Sequence, residues 1–134
     1  HKYGFPASRI YVLCYDGAIG STDFQGADIA TWVGDGTAFQ MKVSGSATKA
    51  NLKSTLASIS RKMNADSLLF VHTNNHGSPS GLCVDNSSVV TPAEWSEMLD
   101  GMKSFGTFVV TMEQCYSGAF LLLRQHEIGE TFWP

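Results

Sequence analysis

Two matched apolar runs constrain this chain more than anything else in it. Ser67–Thr73, SLLFVHT, and Gly106–Met112, GTFVVTM, are uncharged and equal in length. Both are rich in Val, Phe and Thr and stop at polar or small residues, so both read as strands. Nearly continuous apolarity, in place of alternation, marks strands buried on both faces of a parallel sheet. Between them, Thr91 and Pro92 open a segment with Trp95, Met98, Leu99 and Met102 at helical spacing. A strand, a helix and a second strand form the crossover unit of a parallel sheet.

The pattern extends upstream. Arg9–Asp16, RIYVLCYD, stops at the turn pair Asp16-Gly17 and reads as a further strand. Residues 17–40 are rich in Gly, Asp, Ser and Thr without a period, and read as a long loop with a helical turn over 27–32. Thr48 offers an N-cap to an amphipathic helix carrying Leu52, Leu56, Ile59 and Met63. Tyr116–Arg124 reads as a helix beginning directly after Cys115. The expected fold is an α/β sandwich of three layers, its sheet mostly parallel and incomplete at its edges.

At 134 residues the chain has the length of one domain, 1–134, with a real core to bury. Its formal net charge of −3 gives no basic footprint for nucleic acid. No apolar run approaches the roughly 20 residues that cross a bilayer. Three cysteines, Cys14, Cys83 and Cys115, show no CxxC spacing and are too few for a disulfide framework. Asp16, Asp23, Asp28 and Asp35 lack the spacing of a calcium loop and read as a solvated surface. No metal and no organic cofactor is expected.

The chemistry lies where the two runs stop. His76 follows the first run and Cys115 the second. Open α/β sheets bind ligands beyond the carboxyl ends of their strands, and neighbouring strands lie about 4.8 Å apart. Both residues therefore emerge at one rim. A thiolate is the attacking form of cysteine, and an imidazole can take the thiol proton and later protonate a leaving amine. The N–H groups of Gly77 and Cys115 are candidates for an oxyanion hole, and a helix at Tyr116 would favour the sulfur anion. Glu113, two residues before Cys115 on a strand, points the same way. Cys14 and Cys83 read as small buried hydrophobes, and His1, His72 and His126 as hydrogen-bonded loop residues, although His72 falls inside its apolar run and not beyond it.

LLFVHTNNHGS and VVTMEQCYSGAF resemble the two catalytic motifs of the cysteine peptidases of the caspase–hemoglobinase fold. Within that group they are most similar to the legumain-like family, which includes asparaginyl endopeptidases and the catalytic subunit of the glycosylphosphatidylinositol transamidase. GDG at 34–36, ATKANL at 47–52 and TPAEWSEML at 91–99 resemble connecting segments of bacterial members, so the resemblance spans most of residues 8–124. It implies a cysteine endopeptidase working through a thioester, with hydrolysis or transpeptidation as the outcome. His76 would be the catalytic histidine, Cys115 the nucleophile, Gly77 an oxyanion donor, and Glu113 and Ser117 substrate-binding residues. Peptides or proteins would be the substrates, with no cofactor, nucleic acid or membrane segment involved.

Nothing here aligns with the family's first strand and helix, and its strands after the nucleophile are expected to be missing unless the tail EIGETFWP is a remnant of that region. Residues 125–134 read as a tail of uncertain placement, and another segment or chain would complete the sheet. Two other functions fit the same residues: an inactive binding or scaffold domain, and a Cys-His amidase acting on small substrates.

Overall fold

The computed structural model describes residues 4–15, 17, 22–23, 26–27, 42–85, 88–103 and 105–121. The described residues before Lys49 include four very short strands: β1 (Leu13–Cys14), β2 (Thr22–Asp23), β3 (Gly26–Ala27) and β4 (Gly45–Ser46). β1 pairs with β4 in parallel, and β2 with β3 antiparallel. The strand expected over 9–16 is therefore much shorter: Arg9 lies in a 3-10 turn, and the pairing with β4 extends over two rungs only. Gly17, at φ 93°, returns its N–H to the Cys14 carbonyl at 2.9 Å and turns the chain. The helical turn expected over 27–32 has Ala27 in β3 instead, and 28–32 lie outside the described residues.

Helix α1 spans Lys49–Ser60, with the Thr48 hydroxyl accepting from the Asn51 N–H at 3.1 Å, as its cap position predicts. Leu56 is buried, and Leu52, Ile59 and Met63 pack against the core. Next along the chain come β5 (Leu68–Thr73), β6 (Gly77–Ser78), β7 (Gly81–Cys83), β8 (Val89–Val90), α2 (Pro92–Asp100) and β9 (Thr107–Met112). Thr91 and Glu94 form a reciprocal capping box at the start of α2. Lys49 Nζ adds an ion pair to Glu94 at 2.7 Å, which joins the two helices.

β5 and β9 pair in parallel over six rungs, from Leu68 opposite Thr107 to Thr73 opposite Met112. This is the neighbour relation that the two apolar runs predict. Their burial departs from expectation. Alternate residues of both strands are exposed, with Leu68 at 50%, Phe70 at 53% and Val109 at 38%. Only the face carrying Leu69, Val71, Phe108, Val110 and Met112 meets the core. The physical reason is that, among the described residues, both helices pack on one face of this pair.

The edges differ too. Ser67 and Thr73 direct their carbonyls to β9, accepting from Thr107 and Glu113 at 3.2 and 3.0 Å. Backbone polar groups alternate along a strand, so those of Leu68, Phe70 and His72 face the other edge. Among the described residues no strand pairs there.

Gly77–Ser78, Gly81–Cys83 and Val89–Val90, which carry no strand pattern in the sequence, form a three-stranded antiparallel sheet in the order β6-β7-β8. Leu82, Val84 and Val90 carry it into the core beside Trp95, Leu99 and Phe120. The helix expected over 116–124 is a 3-10 turn, Ser117–Phe120, preceded by Tyr116 in the left-handed region. The ring of Phe120 stands edge-on to Trp95, centroids 6.3 Å apart, and ties the turn to α2.

Candidate active site

A ladder of polar side chains climbs the exposed face of the β5–β9 pair toward its carboxyl end. His72 Nδ1 shares a hydrogen bond with Thr111 Oγ1 at 2.8 Å, and Asn74 Nδ2 donates to Glu113 Oε2 at 3.0 Å. Both pairs are 39 residues apart, which is also the offset of every rung of the strand pairing. Continuing by two residues on each chain gives His76 and Cys115, again 39 apart.

Gly77 fixes the approach of the two segments. A Cβ added there would lie 1.9 Å from the Cys115 carbonyl oxygen and 3.1 Å from the Cys115 nitrogen. No real side-chain carbon tolerates the shorter distance, so only glycine lets the backbone after His76 rest against the backbone of Cys115. The turn itself is held by the His76 N–H donating to Asn75 Oδ1 at 2.7 Å, and by the His76 carbonyl accepting from Cys83 N–H at 3.0 Å. His76, Cys115 and Glu113 are exposed, and Gly77 and Ser117 half-buried.

Behind this surface Gln114 is buried at 4% exposure, its Oε1 accepting from Thr73 Oγ1 at 2.7 Å. Its Nε2 has no partner among the described residues. The residues 113–115 thus alternate in the strand sense, Glu113 and Cys115 outward and Gln114 inward. Tyr116 at φ 61° adds strain of about 1 kcal/mol. The four-residue 3-10 turn after it is too short to carry the helix-terminus field expected for a helix at 116.

His72 lies inside β5 and bonds Thr111, so it belongs to the ladder and not to a loop. Cys14 and Cys83 are half-buried, less enclosed than small core residues, and none of the described cysteines is in a disulfide. Asp16, Asp28, Asp35, His1, His126 and the tail 125–134 lie outside the described residues, and Asp23 is described by its backbone alone. Among the described residues no group of three or more His, Cys, Asp or Glu side chains is arranged to hold a metal ion. None of the described helices is long and apolar enough to cross a membrane.

Two neighbours of the site, Asn74 and Tyr116, stand outside the set expected from the sequence. Asn74 was visible as the residue one alternation before His76, and its bond to Glu113 accords with the register. Tyr116 gave no signal, because its backbone conformation is set by the packing of residues beyond it.

No curated protein and no solved structure matches the chain. A family model described as the peptidase C13 family matches residues 2–128, nearly the whole sequence. The parallel β5–β9 pair with its helices agrees with the α/β fold of that family. The chain is a member of the peptidase C13 family, the legumain family of cysteine peptidases that cut peptide bonds.

Proposed function

We propose that Cys115 and His76 work as a catalytic dyad on peptide bonds. Cys115 Sγ attacks the substrate carbonyl carbon as the His76 imidazole takes the thiol proton. That proton passes to the leaving amine as the C–N bond breaks, and the acyl group stays on sulfur as a thioester. Water, or an amine in a transpeptidation, then attacks the thioester and returns the thiol.

The observation that carries this reading is the close approach of Gly77, the residue after His76, to the Cys115 backbone, just beyond the end of the parallel β5–β9 pairing at Thr73 and Met112. The geometry also favours the oxyanion assignment. Bonded and unbonded pairs alternate in an antiparallel ladder, and His76 is bonded to Cys83. Gly77, opposite Leu82, therefore directs its N–H away from β7, where with the Cys115 N–H it can meet a developing oxyanion.

Glu113 and Ser117 are the proposed substrate-binding residues. The Asn74 bond holds the Glu113 carboxylate, which can accept from a substrate amide or pair with a cationic side chain. We further read the chain as a single peptidase domain whose sheet another segment or another chain completes.

Two measurements test the dyad. The wild-type protein cleaves members of a peptide library, and Cys115→Ala leaves them intact. At pH 6.5, His76→Ala slows alkylation of Cys115 by iodoacetamide at least about tenfold, because the base is gone. An unchanged alkylation rate with no cleavage would make this a binding or scaffold domain instead. Cleavage of small amides with every peptide intact would make it an amidase. Glu113→Gln shifts the preferred side chain before the cut and leaves alkylation unchanged; an unaltered preference removes Glu113 from the pocket.

A further inference from the structure

We propose that Tyr116 is a contact platform for an apolar or aromatic substrate side chain flanking the cut bond. This rests on the peptidase reading, which makes Cys115 the reacting residue. Tyr116 is the one non-glycine residue with positive φ among the described residues, at 61°. Residues other than Gly and Asn hold that conformation only where their surroundings impose it.

Those surroundings are visible on both sides. The Cys115 backbone rests against Gly77. The Tyr116 carbonyl accepts from the Ala119 N–H at 3.1 Å and opens the 3-10 turn, which Phe120 anchors on Trp95. This clamp explains the backbone and leaves the ring unexplained. Tyr116 is 60% exposed, and its ring and hydroxyl make no aromatic pairing or hydrogen bond among the described residues.

A glycine would meet the same backbone requirement without strain. The backbone conformation therefore does not call for the ring, and more than half of the residue's surface stays in water in the free protein. Exposed aromatic rings on a rigid backbone are efficient recognition groups, since they cover much area and freeze few torsions. The clamp that fixes the Cys115 backbone also fixes where the Tyr116 side chain leaves the chain, so a side chain resting on the ring belongs to a residue close to the attacked carbonyl. With Glu113 two residues before the cysteine and Tyr116 one after, the site presents a carboxylate and an apolar ring. Its substrates would pair a polar or cationic side chain with a neighbouring apolar one.

The test is affinity, measured by fluorescence anisotropy with fluorescein-labelled peptides varied at the two positions on each side of a fixed residue. The protein carries Cys115→Ala, so nothing is cut. Peptides with Phe or Leu at one flanking position bind more tightly than those with Gly there. Tyr116→Phe keeps that preference. Tyr116→Asn, which tolerates positive φ, loses at least about fivefold in affinity for the Phe and Leu peptides and little for the Gly peptides. Tyr116→Gly, free of strain, gives the same selective loss.

A uniform loss across all peptides, an unchanged preference, or no apolar preference in the parent protein overturns the proposal. Failure of the wild-type protein to cleave any peptide counts against the dyad and leaves this affinity comparison standing.

Discussion

At the scale of single residues, two glycines near the cysteine make opposite predictions. A methyl group at Gly77 would have to share space with the Cys115 carbonyl, whereas Gly118 has nothing within 4 Å of the same position. Gly77→Ala therefore pushes the histidine turn away from the nucleophile. It should cost about 1–3 kcal/mol of stability, as overpacking does, and reduce peptide cleavage by more than about a hundredfold, as a misplacement near 1 Å does. Gly118→Ala should change stability by no more than about 1 kcal/mol and keep cleavage. Chemical denaturation and kcat/KM for the two variants check this, and equal effects would mean the Gly77 contact is not what aligns the site. His76, Gly77 and Cys115 were legible in the sequence because each comes after an apolar run whose end is set locally. Tyr116 was not, since the chain after it reads equally well as an α-helix, and only packing of Phe120 on Trp95 selects the tighter turn.

At the scale of elements, α2 shows what the sequence carries well. Thr91 and Glu94 cap each other through bonds three residues apart, so the start of the helix could be read from its own residues. Thr91→Ala should lower stability by about 1 kcal/mol. The Glu94 carboxyl is held below its ordinary value, first by its hydrogen bond from Lys49 and then by the Thr91 backbone N–H. A lowered value means that the folded state favours the carboxylate. Its stabilisation is therefore complete above the ordinary glutamate value of 4.5, and is lost as pH falls below it through the lowered one. Glu94→Gln should remove that part of the acid limb of a melting-temperature profile, and an unchanged limb would show that the pair does not couple to folding. The β6-β7-β8 sheet was illegible for the converse reason. Its strands are two or three residues long, too short for any period, and Leu82 and Val90 are recruited by distant partners.

Across the molecule, both apolar runs are strands, as their composition predicts, but each is buried on one face and not on two. Continuous apolarity in SLLFVHT records a demand for cover on two faces, and among the described residues the helices meet only one. The uncovered face sets Leu68, Phe70 and Val109 side by side, with an unpaired strand edge beside them among the described residues. Apolar surface next to free backbone donors and acceptors is a template for association. This chain on its own should therefore self-associate as its concentration rises, with light scattering reporting a mass that grows between micromolar and millimolar protein. Phe70→Lys, on the exposed face, should suppress that growth and alter folding stability by no more than about 0.5 kcal/mol, as surface substitutions do. A concentration-independent mass for the unaltered chain would show that the face is satisfied within it. A large loss of stability from Phe70→Lys would show that the ring is buried. Either result would also weaken the reading in which another segment or chain completes the sheet, because that reading needs the face and edge to be open.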